Sequence, residues 1–179
     1  MDYSDRRGDW IITYTGKRFY PLDPRPEDID IEDIAHALSL VNRFTGHTRF
    51  PYSVAEHSIE CSRYVTDGQY LGALLHDAAE AYVNDLARPF KQYLHDYKIV
   101  ENRILDVIED KFGVNTRTSQ IKTVDARTLV TEASWLCNGE DWWHGKQWPA
   151  PLPYSISAHK NWTQVEDLFL ERFYHVSPS

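Results

Sequence analysis

An apolar segment at residues 70–83 constrains this chain more than any other, because it carries His76, Asp77 and Glu80 among Leu, Ala, Tyr and Val residues. On a helix, residues three and four apart are neighbours, so we expect these three side chains on one side. The apolar flanks would bury such a helix nearly all round. Burying a carboxylate or an imidazole is costly unless a charge or a hydrogen bond compensates it. A metal ion would provide that compensation.

The bulk composition bounds the class of protein. A chain of 179 residues with 42 % apolar and 26 % charged residues suits one globular domain with a sizeable core. No apolar run approaches the ~18 residues of a membrane span, and the start lacks a secretory signal. Cys61 and Cys137 are too few for a disulfide framework, and packing as small hydrophobes is the favoured interpretation for both. These features predict a cytoplasmic protein without membrane association.

The net charge of −8 argues against one class of partner. Proteins that grip long nucleic acid by its phosphates normally show a basic face, and none is evident in the sequence. No polymeric nucleic acid partner is therefore expected. A small anionic substrate needs only a few local cations and stays compatible with this charge.

Periodicity and breaker residues predict an all-α bundle of five to six helices with a small N-terminal β-hairpin at about residues 9–22. The predicted helices are residues 31–45, 53–66, 70–83, 93–112 and 119–136, and a terminal helix from about residue 163. We expect a single domain over residues 1–179, with its core at about 28–136. An aromatic loop and the C-terminal helix then occupy about 138–176.

Helix-start signals support these bounds. Asp28 or Asp30 is the candidate N-cap of the first helix. Ser53 to Glu56 has the form of a capping box, and so has Thr163 to Glu166. On the second helix this register turns His57 inward. On the fifth helix, the inner face is predicted to contain Ile121, Val124, Thr128 and Trp135.

Four ionisable side chains are then expected to face inward on three helices: His57, His76, Asp77 and Asp125. Two imidazoles and two carboxylates form a mixed nitrogen and oxygen set suited to a divalent first-row metal. Taken singly, a histidine such as His57 is more often a satisfied core histidine, and Asp125 is compatible with a cap or a partner of Arg127. Their joint pattern favours the metal site.

An ordered series of motifs resembles the HD-domain phosphohydrolase superfamily. Residues 52–58, 74–81 and 84–91 are similar to those of bacterial 5′-deoxynucleotidases and of short phage-type relatives, and residues 33–39 and 42–48 fit the phage-type branch. The resemblance covers roughly residues 14–135 and is more specific than the His-Asp pair alone.

The resemblance implies roles for individual residues. Matched position by position, the four metal ligands are His57, His76, Asp77 and Asp125. Glu80 matches the acid that activates or positions the attacking water, Asp85 the acid that orients water or sugar, and Arg43 the arginine that grips phosphate. Further candidates for phosphate contact are His47, Arg49, Arg88 and Lys91, and candidates for packing on a base are Trp10, Phe44, Tyr82 and Pro89. Solvated surface or core packing is the alternative for each of these.

The resemblance implies a metal-dependent phosphohydrolase of deoxynucleotides that uses Co²⁺, Mn²⁺, Zn²⁺ or Mg²⁺. The short gap between His57 and His76 matches the phage-type branch and favours release of triphosphate from a deoxynucleoside triphosphate such as dATP. Release of phosphate from a deoxynucleoside monophosphate is the alternative, and a non-catalytic nucleotide-binding domain is a further one. The likeness also implies a homo-oligomer and, for the phage-type branch, a phage product in a host cytoplasm.

Overall fold

The computed structural model describes residues 5–138, 148–156 and 158–178. The described residues form eight α-helices and one two-stranded antiparallel sheet, which agrees with a mostly helical protein carrying a small hairpin. The tryptophans of the predicted aromatic loop at positions 142 and 143 lie outside these ranges.

Three short consecutive helices, α3 to α5, stand between the longer helices α1 and α2 on one side in sequence and α6 to α8 on the other. Their bounds are α1 Ile31–Leu40, α2 Val54–Arg63, α3 Tyr70–Leu74, α4 Glu80–Val83, α5 Arg88–Lys91, α6 His95–Phe112, α7 Ser119–Leu136 and α8 Trp162–Val176. The expected five to six helices are too few, because the predicted third helix is interrupted and α5 was not predicted. The bounds predicted for α7 are confirmed.

The N-terminal hairpin is confirmed. Strands β1 (Ile11–Ile12) and β2 (Arg18–Phe19) are antiparallel, with Ile11 opposite Phe19. Gly16 has a φ of 83° in the connecting turn, a conformation that glycine adopts without steric cost. The Asp33 carboxylate accepts hydrogen bonds from the amide and the hydroxyl of Thr15. This contact fixes the hairpin to α1.

Two of the three N-caps predicted from the sequence are observed. Asp30 caps α1, and the Ser53 to Glu56 capping box opens α2. The capping box predicted at Thr163 is wrong, because α8 begins two residues earlier. Asn161 accepts from the Thr163 amide and forms a capping box with Gln164.

The first helix ends at Leu40, several residues before the predicted end near Gly46. A short 3₁₀ segment, Arg43–Gly46, follows, and within it Phe44 and Thr45 have φ values of 55° and 53°. The Arg43 amide donates to the Tyr52 carbonyl and so ties this segment to the start of α2. Arg43 therefore projects from a tight turn and not from the end of a helix.

The predicted helix at residues 70–83 is wrong in its middle. Residues 75–79 form successive tight turns, in which the Ala78 amide donates to Leu75 and the Glu80 amide to Asp77. The ring of His76 donates from Nδ1 to the Ala73 carbonyl at 2.8 Å. In a continuous helix that carbonyl would accept from the Asp77 amide. The segment that carries the predicted ligands His76 and Asp77 is therefore a turn held between α3 and α4.

Two apolar clusters fix the helices around this turn. The larger one joins α1, α3, α6 and α8, and its fully buried side chains include Ile34, Leu38, Leu74, Leu75, Ile104, Ile108 and Phe169. The smaller one packs α7 against α2 and α3 through Cys61, Ala73, Ile121 and Val124. The inward orientation predicted for Trp135 is wrong, since its side chain is 43 % exposed.

A search for membrane-spanning helices gave a negative result. Within residues 5–138, 148–156 and 158–178, none of the helices combines the length and the apolar character that crossing a bilayer requires.

Candidate metal centre

The four predicted ligands meet at one point between α2, the turn at 75–79 and α7. His57 Nε2 lies 3.3 Å from His76 Nε2, 3.6 Å from Asp77 Oδ2 and 3.2 Å from Asp125 Oδ1. His76 Nε2 lies 3.3 Å from Asp77 Oδ2 and 4.0 Å from Asp125 Oδ1. Ligand atoms about 2.1 Å from a common tetrahedral centre lie about 3.4 Å from one another. These separations therefore suit a first-row metal ion.

The hydrogen bonds of the two imidazoles favour the same interpretation. His57 donates from Nδ1 to Glu132 Oε1 at 2.8 Å, and His76 donates from Nδ1 to the Ala73 carbonyl. A neutral imidazole that donates from Nδ1 carries its lone pair on Nε2. Both lone pairs then point into the space between the two rings and the two aspartates. This arrangement is typical of metal-ligating histidines.

The pKa values of this cluster reflect its excess of negative charge. Burial and Arg43 oppose protonation of His57, but Cys61, Glu132 and Asp125 raise its pKa well above the usual value. Burial likewise opposes ionisation of Asp125, but the hydrogen bond and charge of His57 hold the pKa of Asp125 well below its usual value. Both shifts indicate that the cluster favours positive charge at its centre.

Cys61 lies next to the predicted ligands, and the sequence did not predict this contact. Its sulfur lies 3.5 Å from His57 Nε2, and ligand atoms of His57, Cys61 and His76 all lie within 4.8 Å of one another. These three residues form a group that could hold a metal ion. Cys61 is fully buried and also packs in the apolar cluster of α2, as predicted. Burial raises the pKa of its thiol.

Glu132 is a second site residue that the sequence interpretation missed. It is wholly buried on α7, where it accepts from His57 Nδ1 and from Arg43 Nε, the latter at 2.9 Å. Its position seven residues after Asp125, two turns along the same helix face, was a signal that could have found it. Arg43 is also nearly buried, and its Nη1 lies 3.8 Å from Asp77 Oδ2.

Glu80 and Asp85 line a cleft of about 750 Å³, whose described lining includes neither the four predicted ligands nor Arg43. Glu80 is only 5 % exposed, its Oε2 has no hydrogen-bond partner among the described residues, and Oε1 lies 3.5 Å from Lys91 Nζ. Burial, with the charges of Asp77 and Asp85, raises the pKa of Glu80 well above its usual value. Burial also raises the pKa of Asp85, against the opposing effect of Arg43.

The remaining predicted phosphate and base contacts lie outside this cluster. Lys91 forms ion pairs with Glu80 and Glu101. Arg88 is largely exposed, with Nη2 at 3.9 Å from Asp125 Oδ2. His47 follows the 3₁₀ segment and Pro89 lies in α5, and both are exposed.

Comparisons with known proteins place the chain among relatives whose names assign no activity. No model of a known protein family matches it. It is 42 % identical over 124 residues to the uncharacterized protein YfdR of Escherichia coli (strain K12), a match that covers 69 % of this chain and 70 % of that protein. It is 36 % identical over 115 residues to an uncharacterized protein of Rhodobacter capsulatus, covering 59 % of each chain.

Proposed function

This chain belongs to the family of the Escherichia coli protein YfdR, and we propose that it is a metal-dependent phosphohydrolase of the HD-domain type that acts on deoxynucleotides. The observation that carries the proposal is the convergence of the two histidines and two aspartates within 3.2–4.0 Å of one another, measured from the histidine Nε2 atoms. Arg43 and the buried Glu80 adjoin that cluster, which supports phosphate chemistry there.

His57, His76, Asp77 and Asp125 are the residues that would hold the metal, and the donor set fits Co²⁺, Mn²⁺, Zn²⁺ or Mg²⁺. When bound, a divalent ion supplies Lewis acidity toward phosphoryl oxygens and toward water. The two Nδ1 hydrogen bonds leave Nε2 of each imidazole as the nitrogen that would bind the ion.

Arg43 is suited to bind a phosphate group. Its Nε is engaged by Glu132, which leaves the terminal nitrogens for other acceptors, and Nη1 already lies near Asp77. A guanidinium offers donors in a fixed planar arrangement that matches phosphate oxygens. Arg43 would thus hold a phosphoryl group next to the ligand cluster and balance its charge.

Glu80 is suited to accept a proton from the attacking water. General bases are most effective when their pKa lies near the working pH, and burial with like charges moves the pKa of Glu80 in that direction. Its buried Oε2 has no hydrogen-bond partner among the described residues and would accept a hydrogen bond from that water. Asp85 lines the same cleft and would orient that water or the sugar.

The distribution of cations bears on which nucleotide reacts. Among the described residues, the lysine or arginine side chains within 4.0 Å of a ligand carboxylate are Arg43 and the exposed Arg88. A monophosphate carries about two negative charges, and Arg43 with a divalent ion would balance them, whereas a triphosphate needs further cations. The motif spacing favours triphosphate release, but the small number of nearby cations favours the monophosphate reaction as the second candidate. For a triphosphate substrate, we would assign the additional phosphate contact to the exposed Arg88, whose Nη2 lies 3.9 Å from Asp125 Oδ2.

The test is incubation of the metal-loaded protein with a panel of deoxynucleoside monophosphates and triphosphates, followed by separation of the products. Release of phosphate from monophosphates, or of intact triphosphate from triphosphates, supports the proposal and selects the reaction. Nucleotide binding without turnover would instead indicate a non-catalytic nucleotide-binding domain.

A further inference from the structure

Glu132 lies behind the ligand cluster, and its two carboxylate oxygens contact two different site residues. We propose that Glu132 is a positioning residue that fixes His57 for metal binding and holds Arg43 at a set place beside the metal ligands. The part that concerns Arg43 rests on the proposed function, and the part that concerns His57 rests on the metal site alone.

The contacts of Glu132 use its two oxygens separately. Oε1 accepts from His57 Nδ1 at 2.8 Å, and Oε2 accepts from Arg43 Nε at 2.9 Å. Glu132 is 0 % exposed, so bulk water cannot replace either partner. Removal of one contact leaves a buried donor or acceptor unsatisfied. The side chain is therefore held at both oxygens in one orientation.

The contact with His57 determines which ring nitrogen is available to a metal. An ionised carboxylate only accepts hydrogen bonds, so His57 carries its proton on Nδ1 and directs Nε2 toward His76, Asp77 and Asp125. Acceptors of this kind orient metal-ligating histidines and increase their basicity. An amide at position 132 would lack this selectivity, because it both donates and accepts.

The contact with Arg43 determines where the guanidinium can act. Arg43 Nε donates to Glu132, and Arg43 Nη1 lies 3.8 Å from Asp77 Oδ2. One carboxylate on α7 thus supports a metal ligand on α2 and a phosphate-binding residue in the 3₁₀ segment. The single side chain of Glu132 therefore sets the distance between the metal ligand His57 and the phosphate-binding Arg43.

A simpler role would be that of a buried counter-ion for Arg43, and the two roles predict different results. A counter-ion becomes dispensable once Arg43 is neutral. A positioning residue for His57 stays necessary for metal binding whatever residue occupies position 43.

The test is calorimetric titration of the metal-free protein with Mn²⁺ and Zn²⁺, without nucleotide. Glu132→Gln is expected to weaken metal binding about 10- to 100-fold, and to do so also in the Arg43→Gln background. Metal affinity within about 2-fold of the unsubstituted protein, or restored affinity in the double variant, would overturn the proposal.

Glu166→Gln is the matched control. Glu166 Oε2 lies 3.1 Å from His36 Nδ1, so this variant also removes a carboxylate from a histidine Nδ1, but away from the ligand cluster. Its metal affinity should equal that of the unsubstituted protein. An equal loss in this control would show a general effect on folding and overturn the inference.

Two further measurements cover a Glu132 variant that fails to fold. Nitrogen-15 NMR of the Zn²⁺-loaded, unsubstituted protein should show His57 protonated at Nδ1, and a bare Nδ1 would overturn the proposal. Binding of inorganic phosphate to the Zn²⁺-loaded protein should weaken in Arg43→Gln, and unchanged binding would overturn the part that concerns Arg43. Neither readout depends on nucleotide hydrolysis, so failure of the proposed function and failure of this inference are distinguishable.

Discussion

The Nε2 atoms of His57 and His76 lie 3.3 Å apart while both Nδ1 atoms are engaged by oxygen acceptors. Two neutral rings in this arrangement direct lone pairs at each other, which is favourable only when positive charge lies between them. Either a proton on His57 Nε2, which would be donated to Asp125, or a metal ion supplies that charge, and the two aspartates lie beside it in both cases.

Replacement of either central ligand is expected to remove metal and activity together. In His76→Ala or Asp77→Ala the cluster loses one of its donors, so bound metal and turnover should both fall below detection. Metal content by elemental analysis, together with product release, measures this. A variant that retains both would show that the ligand assignment is wrong.

Glu80→Gln is expected to separate the two properties. The amide keeps the size of the side chain but cannot accept a proton from water, so turnover should fall by about 10²- to 10⁴-fold. Metal content should stay at the level of the unsubstituted protein. Loss of metal in this variant would place Glu80 among the ligands.

The pH dependence of stability offers an independent test of Glu80. Its pKa in the folded chain is raised above the ordinary value of 4.5, so the folded chain retains a proton that the unfolded chain loses. Stability from this group therefore falls as pH rises from about 4.5 through the raised pKa. The difference in Tm between Glu80→Gln and the unsubstituted protein, both measured with chelator, should increase in favour of the variant as pH rises over this interval.

Glu27→Gln provides the control for that measurement, since Glu27 is exposed. Comparison with this variant corrects for the loss of one negative charge. A Tm difference for Glu80→Gln that varies with pH no more than that of Glu27→Gln would contradict the raised pKa of Glu80.

Chelation of the metal is expected to lower Tm. An ion that binds only the folded chain at 100 times its Kd contributes about 2.7 kcal/mol, which corresponds to roughly 5–10 °C for a domain of this size. Scanning calorimetry with and without chelator measures the shift. The His76→Ala variant should show no shift, and an equal shift there would indicate a chelator effect unrelated to this site.

The start of α8 distinguishes two capping assignments. Asn161→Ala should destabilise the protein by about 1 kcal/mol, because Asn161 accepts from the Thr163 amide. Thr163→Ala, at the position predicted from sequence, should change stability by less than about 0.5 kcal/mol. Urea unfolding compares them, and the reverse order would contradict the observed cap.

Local signals predicted those elements whose ends are set by their own residues. The Ser53 to Glu56 capping box is self-contained within one turn, and α7 is a long periodic segment with its bounds as predicted. The break at residues 75–79 had no such signal, because its residues all tolerate a helix. The interruption coincides with the ring of His76 bonding the Ala73 carbonyl and with the burial of Leu75, Ala78 and Ala79 in the larger apolar cluster.

The site was predictable to the extent that its residues fall in recognisable motifs. His57, His76, Asp77 and Asp125 come together as expected. Glu132 carries no motif, and its two partners, Arg43 and His57, lie 89 and 75 positions away in sequence. Cys61 was interpreted through its apolar packing, which is correct but leaves out its contact with His57.

The 3₁₀ segment that follows α1 has a consequence for how stability can be improved. Phe44 and Thr45 both adopt left-handed backbone conformations that cost non-glycine residues about 1–2 kcal/mol each. Glycine or asparagine would relieve this strain, yet Thr45 lines the cleft and Phe44 directly follows Arg43. Selection for thermal stability alone would therefore favour changes in the segment that presents Arg43, and glycine there would make the backbone more flexible where the proposed chemistry needs it rigid.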